Sequence, residues 1–222
     1  MSIIEVQVMD GNYLTAALQA AAREKCVKVV AALSAAATLL FCAPALAHTG
    51  TGLPGGFASG FRHPFSGIDH LLAMVSVGLW GAFLGRPLIY VLPVVFPAVM
   101  VGGAILGMLG VPMPPVEIGI ALSVLVLGGC IAFAVRAPVW IAAPIVAVFA
   151  LFHGYAHGKE LPSAADPVGY SAGFVIATGL LHVAGIGIGL LNRWRGGMVV
   201  TRTAGAVIAA AGFWFLYTAV ES

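Results

Sequence analysis

Long apolar runs, separated by short segments rich in proline, glycine or arginine, fill the chain beyond about residue 60. A run of roughly 20 apolar residues is long enough to cross the hydrocarbon core of a bilayer as an α-helix. The runs predict helices over residues 64–84, 88–109, 116–135, 138–157, 168–191 and 199–220. The hydrophobic pattern therefore predicts an all-α, polytopic membrane protein with about six transmembrane helices.

Composition agrees with a chain that is surrounded by lipid rather than by water. Hydrophobic residues make up 61% of the chain and charged residues 8%, and the mean hydropathy is +1.06. A soluble domain carries about 25% charged residues, so the lipid bilayer is the expected partner. The formal charge of +2 and the absence of a basic run or a phosphate-binding motif indicate no nucleic-acid partner and no direct ATP drive.

Residues 1–47 have the pattern of a cleavable signal peptide. Basic residues precede an apolar stretch at 29–41 that is too short to span a bilayer, and Ala45-Leu46-Ala47 supplies the small residues of a cleavage site. The basic residues are Arg23, Lys25 and Lys28. The segment before Val27 is long for the region ahead of a signal core, so we expect an N-terminal extension from a mis-assigned start. Cleavage would leave His48 at the beginning of a mature membrane domain, residues 48–222.

Arginines between the predicted helices indicate the orientation of the chain. The loops with Arg86, Arg136 and Arg193 fall on one side of the membrane, and Arg62 and Lys159 fall on the other. Because cytoplasmic loops carry an excess of lysine and arginine, the side with the three arginines is predicted to be cytoplasmic. We therefore expect a protein of the bacterial inner membrane with both termini in the periplasm.

Five of the six histidines lie within, or at the edge of, the apolar segments, and two short motifs collect four of them. The motifs are His63-Pro64-Phe65-Ser66-Gly67-Ile68-Asp69-His70 and Phe152-His153-Gly154-Tyr155-Ala156-His157-Gly158-Lys159-Glu160. An ionisable side chain inside a bilayer is costly unless it is paired or faces a polar cavity, so these histidines are functional candidates. Imidazoles beside carboxylates make a path for a metal ion the first hypothesis.

Helical geometry sharpens the set of candidate ligands. On a straight helix His63 and His70 are two turns apart and share a face, and His153 and His157 are at i and i+4. Two imidazoles on one face can bind one ion. Asp69 is either a direct ligand or a residue that orients an imidazole from behind. Candidate accessory ligands are Met74, Glu117 and Glu160, and their structural alternatives are a core residue, a helix cap and a solvated loop residue, respectively.

The predicted topology places the two motifs near the outer face of the membrane, where their side chains are expected to converge. His182 lies roughly 20 Å further in along the fifth predicted helix and is a candidate second station for the ion, with an interhelical hydrogen bond as the alternative. After cleavage, the amine and imidazole of His48 would form a chelating pair on a flexible, glycine-rich leader at 49–60. The alternative is that His48 only follows the cleavage site.

The two motifs resemble those of the HupE/UreJ family, the small permeases associated with nickel supply to hydrogenase and urease. The family pattern H-P-x-x-G-x-D-H is matched from His63 to His70, and F-H-G-x-A-H-G-x-E is matched from Phe152 to Glu160. The resemblance covers residues 48–222. It implies a transport protein without a permanently bound cofactor, Ni²⁺ or in some members Co²⁺ as the transported ion, and the motif residues as those that move it.

The residues alone leave several alternatives open. Imidazole and carboxylate suit Ni²⁺, Co²⁺, Zn²⁺ and Cu²⁺ alike, and both facilitated diffusion and proton-coupled transport are allowed, as is a homo-oligomer. An intramembrane zinc hydrolase could use the same cluster, but no motif indicates its general base or substrate cleft. A membrane subunit that binds haem would need histidine pairs deep on separate helices, whereas most histidines here are predicted near the outer face.

Overall fold

The computed structural model describes residues 56–160, 166–194 and 196–221. The predicted signal peptide and His48 lie outside these ranges. Within them the protein is built from α-helices and one short 3₁₀ helix, which confirms the all-α prediction. The helices are α1 (Phe57–Ser66), α2 (Ile68–Leu84), α3 (Leu88–Met108), α4 (Val116–Ala132), α5 (Val139–Glu160), α6 (Pro167–Gly189), the 3₁₀ helix Leu190–Arg193, and α7 (Gly197–Glu221).

Four of the described helices are long and apolar enough to cross a membrane. They are α3, α5, α6 with its 3₁₀ extension, and α7. Helices α1 and α2 meet at an angle of 87° and make a fifth candidate if they are taken together as one broken span. Helix α4 is apolar but only 17 residues long. The described part of the chain thus contains four or five candidate spans and one shorter apolar helix.

The predicted continuous helix over 64–84 is wrong, because the chain breaks at Gly67. This residue has an extended backbone, with φ −100° and ψ 114°. A glycine loses more conformational freedom in a helix than any other residue, and the Asp69 side chain accepts the His70 amide hydrogen at 2.8 Å in place of a helical carbonyl. The bend also places Pro64 inside α1 rather than in the first turn of a helix, as the sequence had suggested.

Part of the predicted flexible leader is also helical, since α1 begins at Phe57. Its glycine spacing serves helix packing: Gly60 lies against the backbone carbonyl of Tyr170, and Gly173 of α6 lies against that of Phe57. Small residues let two membrane helices approach this closely. The composition that suggested flexibility at 57–60 therefore marks a contact between α1 and α6.

Two helix ends differ from the prediction, one at each end of the bundle. Helix α5 continues to Glu160, so this residue belongs to the last helical turn and not to a solvated loop. Helix α4 ends at Ala132, where the Nε of Arg202 donates a hydrogen bond of 2.8 Å to the exposed carbonyl. Ala134 then adopts a positive φ of 53°, which turns the chain away from the helix axis.

The bundle is organised as close helix pairs around α2. Helix α3 packs on α5, α4 on α7, and both α1 and α2 on α6, while α2 also contacts α3, α4 and α7. Glycines on α5 touch carbonyls of α3, and Gly78 of α2 touches the carbonyl of His182 on α6. These contacts run in parallel within α2–α6 and within α3–α5. As a result, the first turns of α2 and α6 and the last turns of α3 and α5 lie at one end of the bundle.

Candidate metal centre

The two histidine motifs converge at that end of the bundle. The ring centroids of His63 and His157 are 4.8 Å apart, those of His70 and His157 are 4.8 Å apart, and those of His70 and His153 are 4.9 Å apart. The four rings thus form a chain, His63–His157–His70–His153, which we call the histidine chain. The expected convergence of the two motifs is present, but the expectation that His63 and His70 share one helical face is wrong, because the helix breaks at Gly67 and each ring lies against His157.

The outer end of the histidine chain has the spacing of a metal site. The Oε2 atom of Glu160 is 3.4 Å from Nε2 of His63 and 3.6 Å from Nδ1 of His157, and one donor atom from each of the three residues lies within 4.8 Å of the others. Two ligands each about 2.1 Å from one ion are at most about 4.2 Å apart. Small side-chain movements would therefore close these three groups around a cation.

Exposure decreases steadily along the histidine chain. The Glu160 side chain is 38% exposed, His63 is 11% exposed, and both His157 and His70 are 6% exposed. His153 is completely buried. The chain of rings therefore leads from the surface of the bundle into its interior.

Asp69 fixes the orientation of His70. Its Oδ1 accepts hydrogen bonds from the His70 backbone amide at 2.8 Å and from the His70 Nδ1 at 2.9 Å. A carboxylate oxygen only accepts, so Nδ1 of His70 carries a hydrogen, and in the neutral imidazole the lone pair is on Nε2. That buried Nε2 has no hydrogen-bond partner among the described residues. A carboxylate that orients a histidine in this way is the usual support for a metal ligand.

His153 has the same chemical form by a different route. Its Nδ1 donates a 2.9 Å hydrogen bond to the backbone carbonyl of Phe149, one turn earlier on α5. The lone pair is therefore on Nε2, which is buried and lacks a hydrogen-bond partner within the described ranges. Leaving a buried polar atom unsatisfied costs about 1–3 kcal/mol. A transient cation ligand would explain why this cost is tolerated at both His70 and His153.

Aromatic residues that the motifs did not reveal form the walls of the site. The Phe174 ring is 4.4 Å from that of His157, and the Tyr170 ring is 5.7 Å from that of His63. These two residues are one turn apart on α6, so the packing of α6 on α1 brings both to the site. In a chain so rich in apolar residues, their spacing offered no signal that distinguishes a wall of the site from ordinary core.

The remaining candidate residues lie apart from the histidine chain. His182 is buried on α6, and the Phe96 ring contacts both its ring and that of His153. Met74 is completely buried in the apolar core. Glu117 is exposed in the first turn of α4. The three residues therefore do not add to the ligand group at Glu160.

Charge is distributed unevenly between the two ends of the bundle. All acidic residues of the described part lie at the ends of helices that surround the histidine chain: Asp69, Glu117, Glu160, Asp166 and Glu221. Four of the five arginines in the described ranges lie at the other end, Arg86, Arg136, Arg193 and Arg202, whereas Arg62 and Lys159 lie at the acidic end. A surface with an excess of acidic groups attracts cations and raises their local concentration.

Comparison with known proteins assigns the sequence to a family. No solved structure matches the chain. Protein HupE of Rhizobium leguminosarum bv. viciae is 48% identical over 170 residues, which cover 76% of this chain and 89% of that protein. The family profile described as HupE / UreJ protein matches residues 36–215, which include both histidine motifs and all of α1 to α6. The chain belongs to the HupE/UreJ family.

Proposed function

We propose that this protein is a membrane permease for uptake of a divalent transition metal, Ni²⁺ in the first place and Co²⁺ or Zn²⁺ as the next candidates, that supplies the maturation of metalloenzymes. The observation that carries the proposal is the histidine chain, which leads from a half-exposed carboxylate to a completely buried imidazole. Membership of the HupE/UreJ family supports a transport role. The ligand types alone suit several divalent metals, so the choice of nickel rests on the family.

The proposed route uses the ligands in order of burial. Glu160, His63 and His157 capture the ion at the surface, and His157 passes it toward the Nε2 atoms of His70 and His153. Asp69 holds His70 in the correct orientation. A conducting path needs sites that bind an ion well enough to admit it and weakly enough to release it. Successive sites that share a ligand, as these share His157, satisfy both requirements.

The route is extended by one residue at each end. His182 is proposed as the deeper station, since it is the next buried imidazole beyond His153. His48, outside the described residues, is proposed as a capture ligand that cleavage after Ala47 would create. Met74 and Glu117 are accessory at most, because the first is enclosed in the core and the second is exposed on α4.

We place the protein in the bacterial inner membrane with six spans, counting α1 and α2 as one broken span and α4 as a short one. The arginine-rich end then faces the cytoplasm and the end with the histidine chain faces the periplasm, in line with the positive-inside rule. Both termini are periplasmic in this arrangement. The acidic end would attract metal cations from the periplasm before they meet the first ligands.

Uptake of ⁶³Ni²⁺ into sealed proteoliposomes tests the function directly. The wild-type protein should accumulate the ion, and His70→Ala should reduce uptake by about 10- to 100-fold, the usual cost of losing a ligand. Ser123→Ala is the matched control, because Ser123 is a buried polar residue on α4 that bonds only to the Ile120 carbonyl in its own helix. Normal uptake by His70→Ala would refute the site, and no uptake by the wild type would refute the function.

The same preparation distinguishes the proposed permease from a hydrolase. A zinc hydrolase keeps its metal bound and leaves one coordination position open for an activated water. A permease releases its cargo, so the purified protein should lose Ni²⁺ readily to a chelator and should not cleave membrane peptides.

His48→Ala should lower uptake at limiting metal more than at saturating metal, since a capture ligand raises apparent affinity without setting the rate of later transfer.

A further inference from the structure

One aromatic ring contacts both the histidine chain and the deeper histidine. The Phe96 ring centroid is 5.5 Å from that of His153 and 5.4 Å from that of His182, with interplanar angles of 63° and 88°. Phe96 is completely buried, and His182 is almost completely buried. The Phe96 ring therefore contacts the imidazoles at both ends of a transfer from His153 to His182.

The helix segment that carries Phe96 has lost part of its backbone hydrogen bonding. Pro93 and Pro97 flank it inside α3. A helical amide normally donates to the carbonyl four residues earlier, and proline has no amide hydrogen. Pro97 therefore leaves the Pro93 carbonyl without its helical donor, and Pro93 does the same for Ile89.

The neighbouring parts of the bundle are tightly held. After Phe96, the carbonyls of Met100 and Ala104 touch Gly154 and Gly158 of α5, where any side chain would collide with them. Before Pro93, the Leu88 carbonyl of α3 lies close to Gly81 of α2, where a Cβ would be 3.1 Å from it. The weakened proline segment is thus enclosed by rigid helix contacts, so movement of α3 is expected to concentrate between Pro93 and Pro97.

We propose that Phe96 is an apolar barrier between two metal stations, and that the Pro93–Pro97 segment bends to move its ring when an ion passes. The outer station is the histidine chain. The inner station is the buried imidazole of His182. Apolar constrictions gate ion pathways by excluding water. The inference rests on the proposed uptake of a divalent metal, and it assigns the step between capture and release.

A larger ring at this position should separate binding from transfer. In Phe96→Trp, ⁶³Ni²⁺ uptake into proteoliposomes should fall roughly tenfold or more, while equilibrium binding of Ni²⁺ to the detergent-solubilised protein stays at the wild-type level. Phe213→Trp is the control, since Phe213 is on the exposed face of α7. Wild-type uptake by a folded Phe96→Trp protein, or loss of its binding together with its uptake, would overturn the barrier while leaving the proposed function standing.

Two further variants decide the question if tryptophan prevents folding. Phe96→Leu is smaller and should raise the uptake rate at saturating metal. Pro97→Ala supplies an amide donor for the Pro93 carbonyl, which stiffens α3, so uptake should slow while outer binding is kept. Pro144→Ala in α5 is its control, because this proline is also inside a helix and is exposed. Unchanged uptake in both Phe96→Leu and Pro97→Ala would refute the proposal, whereas absence of uptake by the wild type would refute the function itself.

Discussion

At the scale of single residues, the chemistry of the site depends on which nitrogen of each imidazole is free. Asp69 and the Phe149 carbonyl each accept a hydrogen bond from the Nδ1 of a histidine, so in each neutral imidazole the buried lone pair is on Nε2. Without an ion, such an atom lowers stability, because its lost hydration is not replaced. The arrangement is understandable if the lone pairs are ligands that a cation visits in turn.

Two substitutions of His153 separate its structural bond from its ligand role. Asparagine places an amide nitrogen near the position of Nδ1 and can keep the bond to the Phe149 carbonyl, but it has no atom at Nε2. Glutamine places its amide near Nε2. We expect His153→Asn to fold and to lose about 10- to 100-fold of Ni²⁺ uptake, and His153→Gln to lose less. Vesicle uptake at equal protein content measures this, and equal losses in both variants would contradict it.

Gly67 is a second position where a single atom should matter. A Cβ at this residue would lie 2.9 Å from Oδ1 of Asp69 and 3.2 Å from Nδ1 of His70. The Gly67 backbone is in a region that alanine also adopts. Gly67→Ala should therefore fold but push the Asp69–His70 pair apart, raising the metal concentration needed for half-maximal uptake. Gly187→Ala, whose Cβ would meet nothing within 4 Å, should behave as wild type.

At the scale of elements, the sequence predicted most helices well because each apolar run has the length of a span. The prediction failed where a helix break or a contact with a distant helix decides the structure, because the apolar pattern carries no information about either. The run at 64–84 reads as one helix, yet the Asp69 side chain replaces a helical carbonyl at the break. Similarly, glycines near residue 57 suggested a flexible leader, but they are contacts with α6 that depend on a partner helix far along the chain.

Gly158, in the second motif, allows an estimate of how much such a contact matters for stability. A Cβ on Gly158 would collide with the backbone carbonyl of Ala104, and neither helix backbone can move aside easily. Gly158→Ala should therefore lower the free energy of unfolding by about 1–3 kcal/mol, the typical cost of overpacking. Denaturant unfolding in detergent, followed by circular dichroism, measures the change. Gly179→Ala on the open face of α6 is the control, and an equal effect in both would show that the contact is unimportant.

At the scale of the whole molecule, the convergence of the site could be predicted because both motifs lie at helix ends on the same predicted side of the membrane. The wall residues and Phe96 could not, since their role comes from the packing of α3 and α6 against the motif helices. The charged residues also differ between the two ends of the bundle. Acidic residues gather at the end with the histidine chain, and most arginines gather at the other.

This division predicts which end of the bundle faces the cytoplasm. Lys159 is exposed in the last turn of α5 beside the histidine chain, and Arg193 is exposed at the opposite end, after α6. Each is changed to cysteine in a background where the native cysteines are serine: Cys26→Ser, Cys42→Ser and Cys130→Ser. Because arginines are retained on the cytoplasmic side, a membrane-impermeant maleimide added to intact spheroplasts should label Lys159→Cys and not Arg193→Cys.

Permeabilising the spheroplasts should make both cysteines reactive, which shows that Arg193→Cys was hidden by the membrane and not by the fold. The outcome bears on the direction of transport. Labelling of Arg193→Cys alone in intact spheroplasts would place the acidic end and the exposed ligand Glu160 in the cytoplasm, where they would collect metal for export. Labelling of Lys159→Cys alone would show that the capture ligands face the outside, as uptake requires. The ion would then move inward from Glu160 toward His153, through ligands that become more deeply buried.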